Sequence, residues 1–307
     1  MTPPKIHVDR EIQAADIDYV DGRAELVGPG DDTLAGVAAA VIGIGHVWDT
    51  DRFAGFPDLR VVSRMGIGYD NVDVAAATAA DIVVCNAPDA PTVSTAEHTM
   101  ALLLALTKEL PTQRARALEG LGGPVVATAR ELDGSTLGLV GLGRIARRVA
   151  TAAQALGMVV VAVDPAIEHS EVDGVRMVSL ETLLASSHVV SLHAPANEAT
   201  HHMINDASLA TMRDDAVLIN CARGALIDHD ALVRALDDNR LAGAGLDVTE
   251  PEPLPVGHAL FGRPNVIVTP HVASSTAAGR RRLFEHAFDN ALAVLSGDPA
   301  TVVAPPH

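Results

Sequence analysis

Gly141, Gly143 and Ala146 offer the first chemistry in this 307-residue sequence. They belong to Gly141-Leu142-Gly143-Arg144-Ile145-Ala146, set between the β-branched run Leu137–Val140 and a helical window over Arg144–Leu156. At this spacing Gly141 permits a tight turn and Gly143 lets a pyrophosphate approach the backbone. Ala146 is small enough for helix and strand to pack closely. The N–H groups of Arg144 and Ile145, at the helix start, would face the pyrophosphate. Asp164 stands 23 residues after Gly141, at the end of the run Met158–Val163, where a carboxylate accepts both ribose hydroxyls and repels a 2′-phosphate. Glycines that serve only a turn are the plain alternative, and the strand, helix and acid together argue against it. The pattern predicts a dinucleotide site that prefers NAD to NADP, with Arg144 and Arg147 near enough to soften the preference.

Three later segments each close a strand-like run with polar groups: Asn220-Cys221-Ala222-Arg223-Gly224, Asp247-Val248-Thr249-Glu250-Pro251-Glu252-Pro253 and Thr269-Pro270-His271-Val272-Ala273-Ser274. The carboxyl ends of parallel strands are where such residues collect around a ligand. Each segment also has a bland reading. Arg223 serves as a surface ion-pair partner, Glu252 as a solvated loop acid, and His271 as one of 13 histidines. His98 and His193 are rival bases. Arg280–Arg282 reads as a solvated helix face.

The elements that must position these groups follow a strand–helix alternation. Strand-like runs are Ala39–Ile44, Arg60–Val62, Ile82–Cys85, Leu137–Val140, Met158–Val163, Val189–Leu192, Ala216–Ile219 and Val266–Thr269. Helical windows include Arg144–Leu156, Leu180–Ala185 and Asp230–Asp237. This alternation predicts parallel sheets with helices on their faces. Ser94-Thr95-Ala96-Glu97, after the turn-rich Pro88–Thr92, fits a capping box opening a helix with Ala96, Met100, Leu103, Leu104, Thr107 and Leu110 on one stripe. A last helix opens at Ser274–Ser275 and stops at Gly297, with Pro299 just beyond. Domains of 1–97 plus 276–307 and of 98–275 are expected, with a ligand cleft between them.

Composition closes several doors. Apolar residues make up 48% and charged residues 20% of the chain, an ordinary globular balance. The net charge of -17 argues against broad binding of nucleic acid or anionic membrane, since both need a positive surface. Two cysteines, Cys85 and Cys221, allow neither a disulfide framework nor a four-thiolate zinc site, and no metal is expected. Two lysines, Lys5 and Lys108, leave little for Schiff-base chemistry. Met1–Arg10 lacks the apolar core of a signal peptide, and the longest apolar stretches, Leu34–Gly45 and Ala101–Leu106, fall short of the roughly 18 residues of a membrane span. The expectation is a soluble, cytoplasmic protein.

With Gly66-Ile67-Gly68-Tyr69-Asp70-Asn71-Val72-Asp73, Ala96-Glu97-His98-Thr99, the glycine turn and the three polar segments in view, the chain resembles the D-isomer-specific 2-hydroxyacid dehydrogenases, among them D-3-phosphoglycerate dehydrogenases and glyoxylate/hydroxypyruvate reductases. The resemblance runs from about Val61 to Gly297. It implies an α/β fold of two doubly wound parallel-sheet domains, Rossmann-like and flavodoxin-like, and an NAD-dependent exchange of a small 2-oxo acid with its D-2-hydroxy acid. Arg223 would hold the substrate carboxylate and polarise the C2 carbonyl. His271 would give or take the proton, and Glu252 would hydrogen-bond the imidazole and fix its tautomer. The Gly66–Gly68 loop would offer backbone N–H groups to the carboxylate, with Met65, Gly66 and Ile67 among the substrate-binding residues. Asp247 would orient the nicotinamide amide, and Ala87, Ala194 and the backbone of Cys221, Ala222 and Arg223 would line the cofactor. A homodimer is implied, with no nucleic-acid or membrane partner. Arg64 would meet a substrate phosphate or a surface acid. An NAD(H)-sensing, corepressor-like protein on the same scaffold is the alternative.

Overall fold

The computed structural model describes residues 2–30, 34–121, 129–298 and 300–303. The chain forms two compact units, Met1–Thr92 with Ser275–His307, and Val93–Ser274. Each is built on one parallel sheet.

The first unit runs β1 (Lys5–Val8), α1 (Ala14–Val20), β2 (Glu25–Val27), β3 (Val37–Ile42), α2 (Thr50–Ala54), β4 (Val61–Arg64), α3 (Val74–Ala79) and β5 (Val83–Cys85). The strands pair in parallel in the order β2-β1-β3-β4-β5, the flavodoxin-like arrangement. Side chains alternate across the strands, so each sheet face is apolar. Ala40, Ile42 and Val62 pack on the side of Phe53, Val74 and Ala77. Ile6, Val8, Val41 and Val61 pack on Phe284, Ala287, Phe288 and Ala291 of the C-terminal helix, Ala277–Ser296. Thr276 caps that helix through the Gly279 N–H, one residue later than expected, and Gly297 closes it at φ 82°. Pro299 lies outside the described residues.

The second unit continues α4 (Thr92–Thr107), α5 (Leu110–Leu118), β6 (Thr136–Val140), α6 (Arg144–Ala155), β7 (Val159–Val163), β8 (Val175–Met177), α7 (Leu180–Ser186), β9 (Val189–Leu192), α8 (Asp206–Thr211), β10 (Val217–Asn220), α9 (His229–Asp237), β11 (Gly243–Leu246) and β12 (Val266–Val268). The seven strands are parallel, in the order β12-β11-β10-β9-β6-β7-β8. The order reverses at β6, and such a switch point opens a crevice at the strands' carboxyl ends. Leu137, Leu139, Val160 and Ala162 bury against α4 and α6, while Val161, Val190 and Leu218 bury against α7, α8 and α9.

Two expectations fail here. Helix α4 begins at Thr92, just after Pro91, a residue suited to a helix start, so Ser94 and Glu97 lie inside the helix and form no capping box. The stripe also stops short of Leu110, which is 54% exposed because the chain leaves α4 at Thr107 and starts a new helix. Among the described residues no helix is long and apolar enough to cross a membrane.

Candidate active site

The turn after β6 is made by backbone. Gly141 has φ 92°, and a Cβ there would stand 2.7 Å from the His193 carbonyl oxygen, so only glycine fits. Gly143 is the N-cap of α6 and no side chain caps it; the space a Cβ would take beside it is open. Asp164, at the end of β7, accepts from the Leu142 N–H at 2.9 Å and from the Ala166 N–H at 2.9 Å, one bond to each carboxylate oxygen. Each oxygen keeps a lone pair for a ribose hydroxyl. An uncapped helix start, open space at the second glycine and a carboxylate at the neighbouring strand end fit an NAD pyrophosphate and ribose. Arg147 is committed to the Leu142 carbonyl and to Glu171. Ala194, at the end of β9, is partly exposed, as a lining residue requires.

The loops after β10, β11 and β12 carry side-chain chemistry. Asn220, wholly buried at the end of β10, accepts from the Ala222 N–H at 3.0 Å and donates to the Arg223 carbonyl at 2.8 Å, which sets the backbone that presents Arg223. A Cβ on Gly224 would strike the Thr249 carbonyl, so glycine lets this turn lie against the β11 loop. In that loop Glu252 meets His271, with Oε1 2.6 Å from Nδ1. Burial alone would push the Glu252 carboxyl up; the His271 bond, the Thr249 N–H and the Arg223 charge outweigh it and hold the carboxyl below its usual range. Arg223, Glu252 and His271 are thereby brought together.

His271 adopts φ 54°, a conformation rare outside glycine. Its N–H donates to the Asp247 carbonyl at 2.8 Å, and the Asp247 carboxylate accepts from Val272 N–H at 2.9 Å, Ala273 N–H at 2.8 Å and Thr269 Oγ1 at 2.6 Å. His98 Nε2 joins Thr269 Oγ1 at 3.1 Å. The sequence reading missed this network and the role of Asn220. The only signals were residue types, an Asn and an Asp at strand ends. His98 is therefore engaged in holding the loop. Burial pushes His193 down to about 4, and its Nε2 meets Ser191 Oγ at 2.9 Å, so it is neutral near pH 7. Burial pushes the thiols up, Cys221 to about 12 and Cys85 to about 11, and neither is a nucleophile near neutrality.

In the first unit Met65, Gly66 and Ile67 follow β4. The Met65 N–H donates to the Ile42 carbonyl and the Gly66 N–H to the Arg64 carbonyl. Arg64 is 7% exposed and donates to the Met65 carbonyl. Ala87 has no exposed surface to offer a cofactor; it packs with Ala90, Leu283 and Met65. Arg281 pairs with Glu285 at 2.6 Å on an exposed helix face, while Arg282 donates to the Ala90 carbonyl.

The family model for the D-isomer specific 2-hydroxyacid dehydrogenase NAD-binding domain matches residues 100–273. The chain is 40% identical over 278 residues to the (S)-sulfolactate dehydrogenase of Chromohalobacter salexigens, covering 90% of this chain and 89% of that protein. It is 34% identical to the D-3-phosphoglycerate dehydrogenase of Bacillus subtilis over 92% of this chain, and spans about half of that relative (54%). Among solved structures, TT0316 protein from Thermus thermophilus superposes with a TM-score of 0.89 at 37% identity, covering 98% of this chain and all of that one. D-lactate dehydrogenase from Aquifex aeolicus, complexed with NAD and lactic acid, gives 0.85 at 29% identity over 96% of each chain. The glycine turn, the acid that follows it and these matches agree: the chain belongs to the D-isomer specific 2-hydroxyacid dehydrogenase family and is an NAD-dependent oxidoreductase acting on a CH–OH group.

Proposed function

We propose that the chain reduces a small 2-oxo acid to its D-2-hydroxy acid, and catalyses the reverse, with Arg223 and His271 acting on substrate and Glu252 acting through His271. The observation that carries this reading is the 2.6 Å contact between Glu252 Oε1 and His271 Nδ1, beside Arg223. A carboxylate at Nδ1 keeps a proton on that atom, which leaves Nε2 to give or take the proton at the substrate oxygen. The guanidinium of Arg223 offers a planar pair of donors to the substrate carboxylate and draws charge from the adjacent carbonyl. Bound NAD(H) supplies the hydride acceptor or donor.

Cofactor contacts are assigned to Gly141, Gly143, Arg144, Ile145, Asp164, Ala194, Cys221 and Ala222, with Arg223, Asp247 and His271 at the nicotinamide end. For Asp247 the hydrogen bonds add a second task, holding the loop that carries His271. In the first unit the N–H groups after Gly66 are assigned to the substrate carboxylate.

Glyoxylate and hydroxypyruvate suit such a site. The buried Arg64 beside that loop favours a second reading, a substrate with a further anionic group, such as a sulfonate or phosphate. The relative named a sulfolactate dehydrogenase fits it. Its (S) label denotes the same spatial arrangement as D-lactate, because sulfur promotes the sulfonate arm above the carboxyl in naming priority. NADH oxidation measured across glyoxylate, hydroxypyruvate, phosphohydroxypyruvate, sulfopyruvate and pyruvate decides between the readings, and no turnover on any of them would overturn both.

We assign the protein to the cytoplasm as a homodimer. The exposed Leu110, Leu118 and Leu121 support the dimer, since such apolar surface on one segment suits a protein contact. Sedimentation at micromolar concentration tests it.

A further inference from the structure

His201, His202 and Glu250 converge outside the residues assigned to catalysis. One ligand atom from each lies within 4.8 Å of the other two, the one such group of three histidine, cysteine or acidic residues among the described residues. His202 Nε2 stands 2.9 Å from Glu250 Oε2, an ordinary hydrogen bond. His201 Nε2 stands 3.9 Å from the same oxygen, too far for a hydrogen bond. A salt bridge between His202 and Glu250 needs no second imidazole aimed at the shared oxygen.

The backbone fixes this convergence. The His201 N–H donates to the Asn197 carbonyl at 2.9 Å. His202 has φ 48°, its N–H donates to the Ala225 carbonyl at 2.8 Å, and its own carbonyl accepts from Asn205 Nδ2 at 2.9 Å. Side chains of neighbouring residues in extended chain point to opposite sides. Here the left-handed turn stacks the two rings, with centroids 3.9 Å apart and planes at 22°. Two imidazolium ions so stacked would repel each other, whereas two neutral rings offer lone pairs to a cation whose charge Glu250 offsets.

We propose that His201, His202 and Glu250 form a binding site for one divalent late first-row transition-metal ion, of the zinc, nickel or copper class. Two imidazole nitrogens and one carboxylate oxygen suit these ions; magnesium and calcium take oxygen ligands. Zinc bonds nitrogen and oxygen at about 2.0–2.2 Å, which sets ligand atoms of a tetrahedral shell about 3.4 Å apart. The 2.9 Å pair would open slightly and the wider separations would close by roughly 1 Å, with water completing the four-fold shell. The ion would tie the segment leading into α8 to the loop that continues into Glu252. All three side chains are partly open to solvent, which gives the ion a path in. The sequence alone suggested no metal.

The test uses the full-length, tag-free protein, stripped with a chelator and titrated with zinc chloride against a chromogenic zinc indicator, with thermal unfolding as a second readout. The expected result is one zinc per chain in the micromolar range, not displaced by millimolar magnesium, and a rise in Tm. H201A, H202A and E250Q should each weaken binding about tenfold or more, and the double variant H201A/H202A should lose the Tm rise while its metal-free activity stays near that of the parent. No zinc uptake at millimolar concentration would overturn the proposal. So would uptake at one per chain that is unchanged in H201A/H202A.

Discussion

The turn after β6 and the loops after β10, β11 and β12 stand at the same carboxyl edge of one sheet, yet they are built from different materials. The turn works through backbone: two glycines, a helix start and one carboxylate, all within 24 residues of chain, from Gly141 to Asp164. The loops work through side chains spread over 49 residues, from Arg223 to His271, and Glu252 and His271 meet only because β11 and β12 end side by side. A backbone site tolerates changes to most side chains but not to its glycines. A side-chain site fails when one functional group is removed, and the fold survives.

The largest expected effect breaks the two regions apart. His271→Ala should lower kcat by about 10²–10⁴ while leaving NADH affinity in place, measured by steady-state kinetics and by fluorescence titration. A parallel loss of NADH affinity would show that the His271 imidazole carries much of the cofactor's binding as well as the proton. Gly141→Ala should do the reverse, putting a Cβ 2.7 Å from the His193 carbonyl at a φ of 92°. Destabilisation of about 1–3 kcal/mol is expected in urea unfolding, with weaker NADH binding. A smaller effect is expected of Asp164→Ala. It should narrow the preference for NADH over NADPH by about tenfold, the worth of one charge-assisted hydrogen bond; an unchanged ratio would move the ribose contact elsewhere.

A pH dependence is expected of His193, between the two regions. Its folded-state value is pushed from an ordinary 6.5 down to about 4, so between these values the unfolded chain binds the extra proton. Stability should therefore be full above about pH 6.5 and fall as the pH drops toward 4. Urea midpoints across that range should show a shallower fall in His193→Asn; an equal fall would place the acid sensitivity in other groups.

The same contrast explains what the sequence made legible. Gly141, Gly143 and Asp164 announce their purpose by spacing, because backbone geometry repeats wherever a dinucleotide meets a helix start. Arg223, Glu252 and His271 stood out only at strand ends and through the resemblance; alone, each had a bland alternative. Strand β11 (Gly243–Leu246) escaped detection because it lacks the β-branched residues that mark a strand, its two glycines lying close to neighbouring chain. The Asp247 network was hidden because its partners, Thr269, Val272 and Ala273, lie 22 to 26 residues away. Ser94–Glu97 misled because a capping-box pattern says nothing about whether the helix has already begun.

The proposed role of Glu252 is to act through His271 and not on substrate or cofactor directly. The measurement is a double-mutant cycle in kcat/KM: Glu252→Gln in the wild-type chain and again in the His271→Ala background. A large loss is expected in the first case, about tenfold or more, and almost none in the second. An equal loss in both backgrounds would contradict it, because Glu252 would then have a task that does not pass through the imidazole.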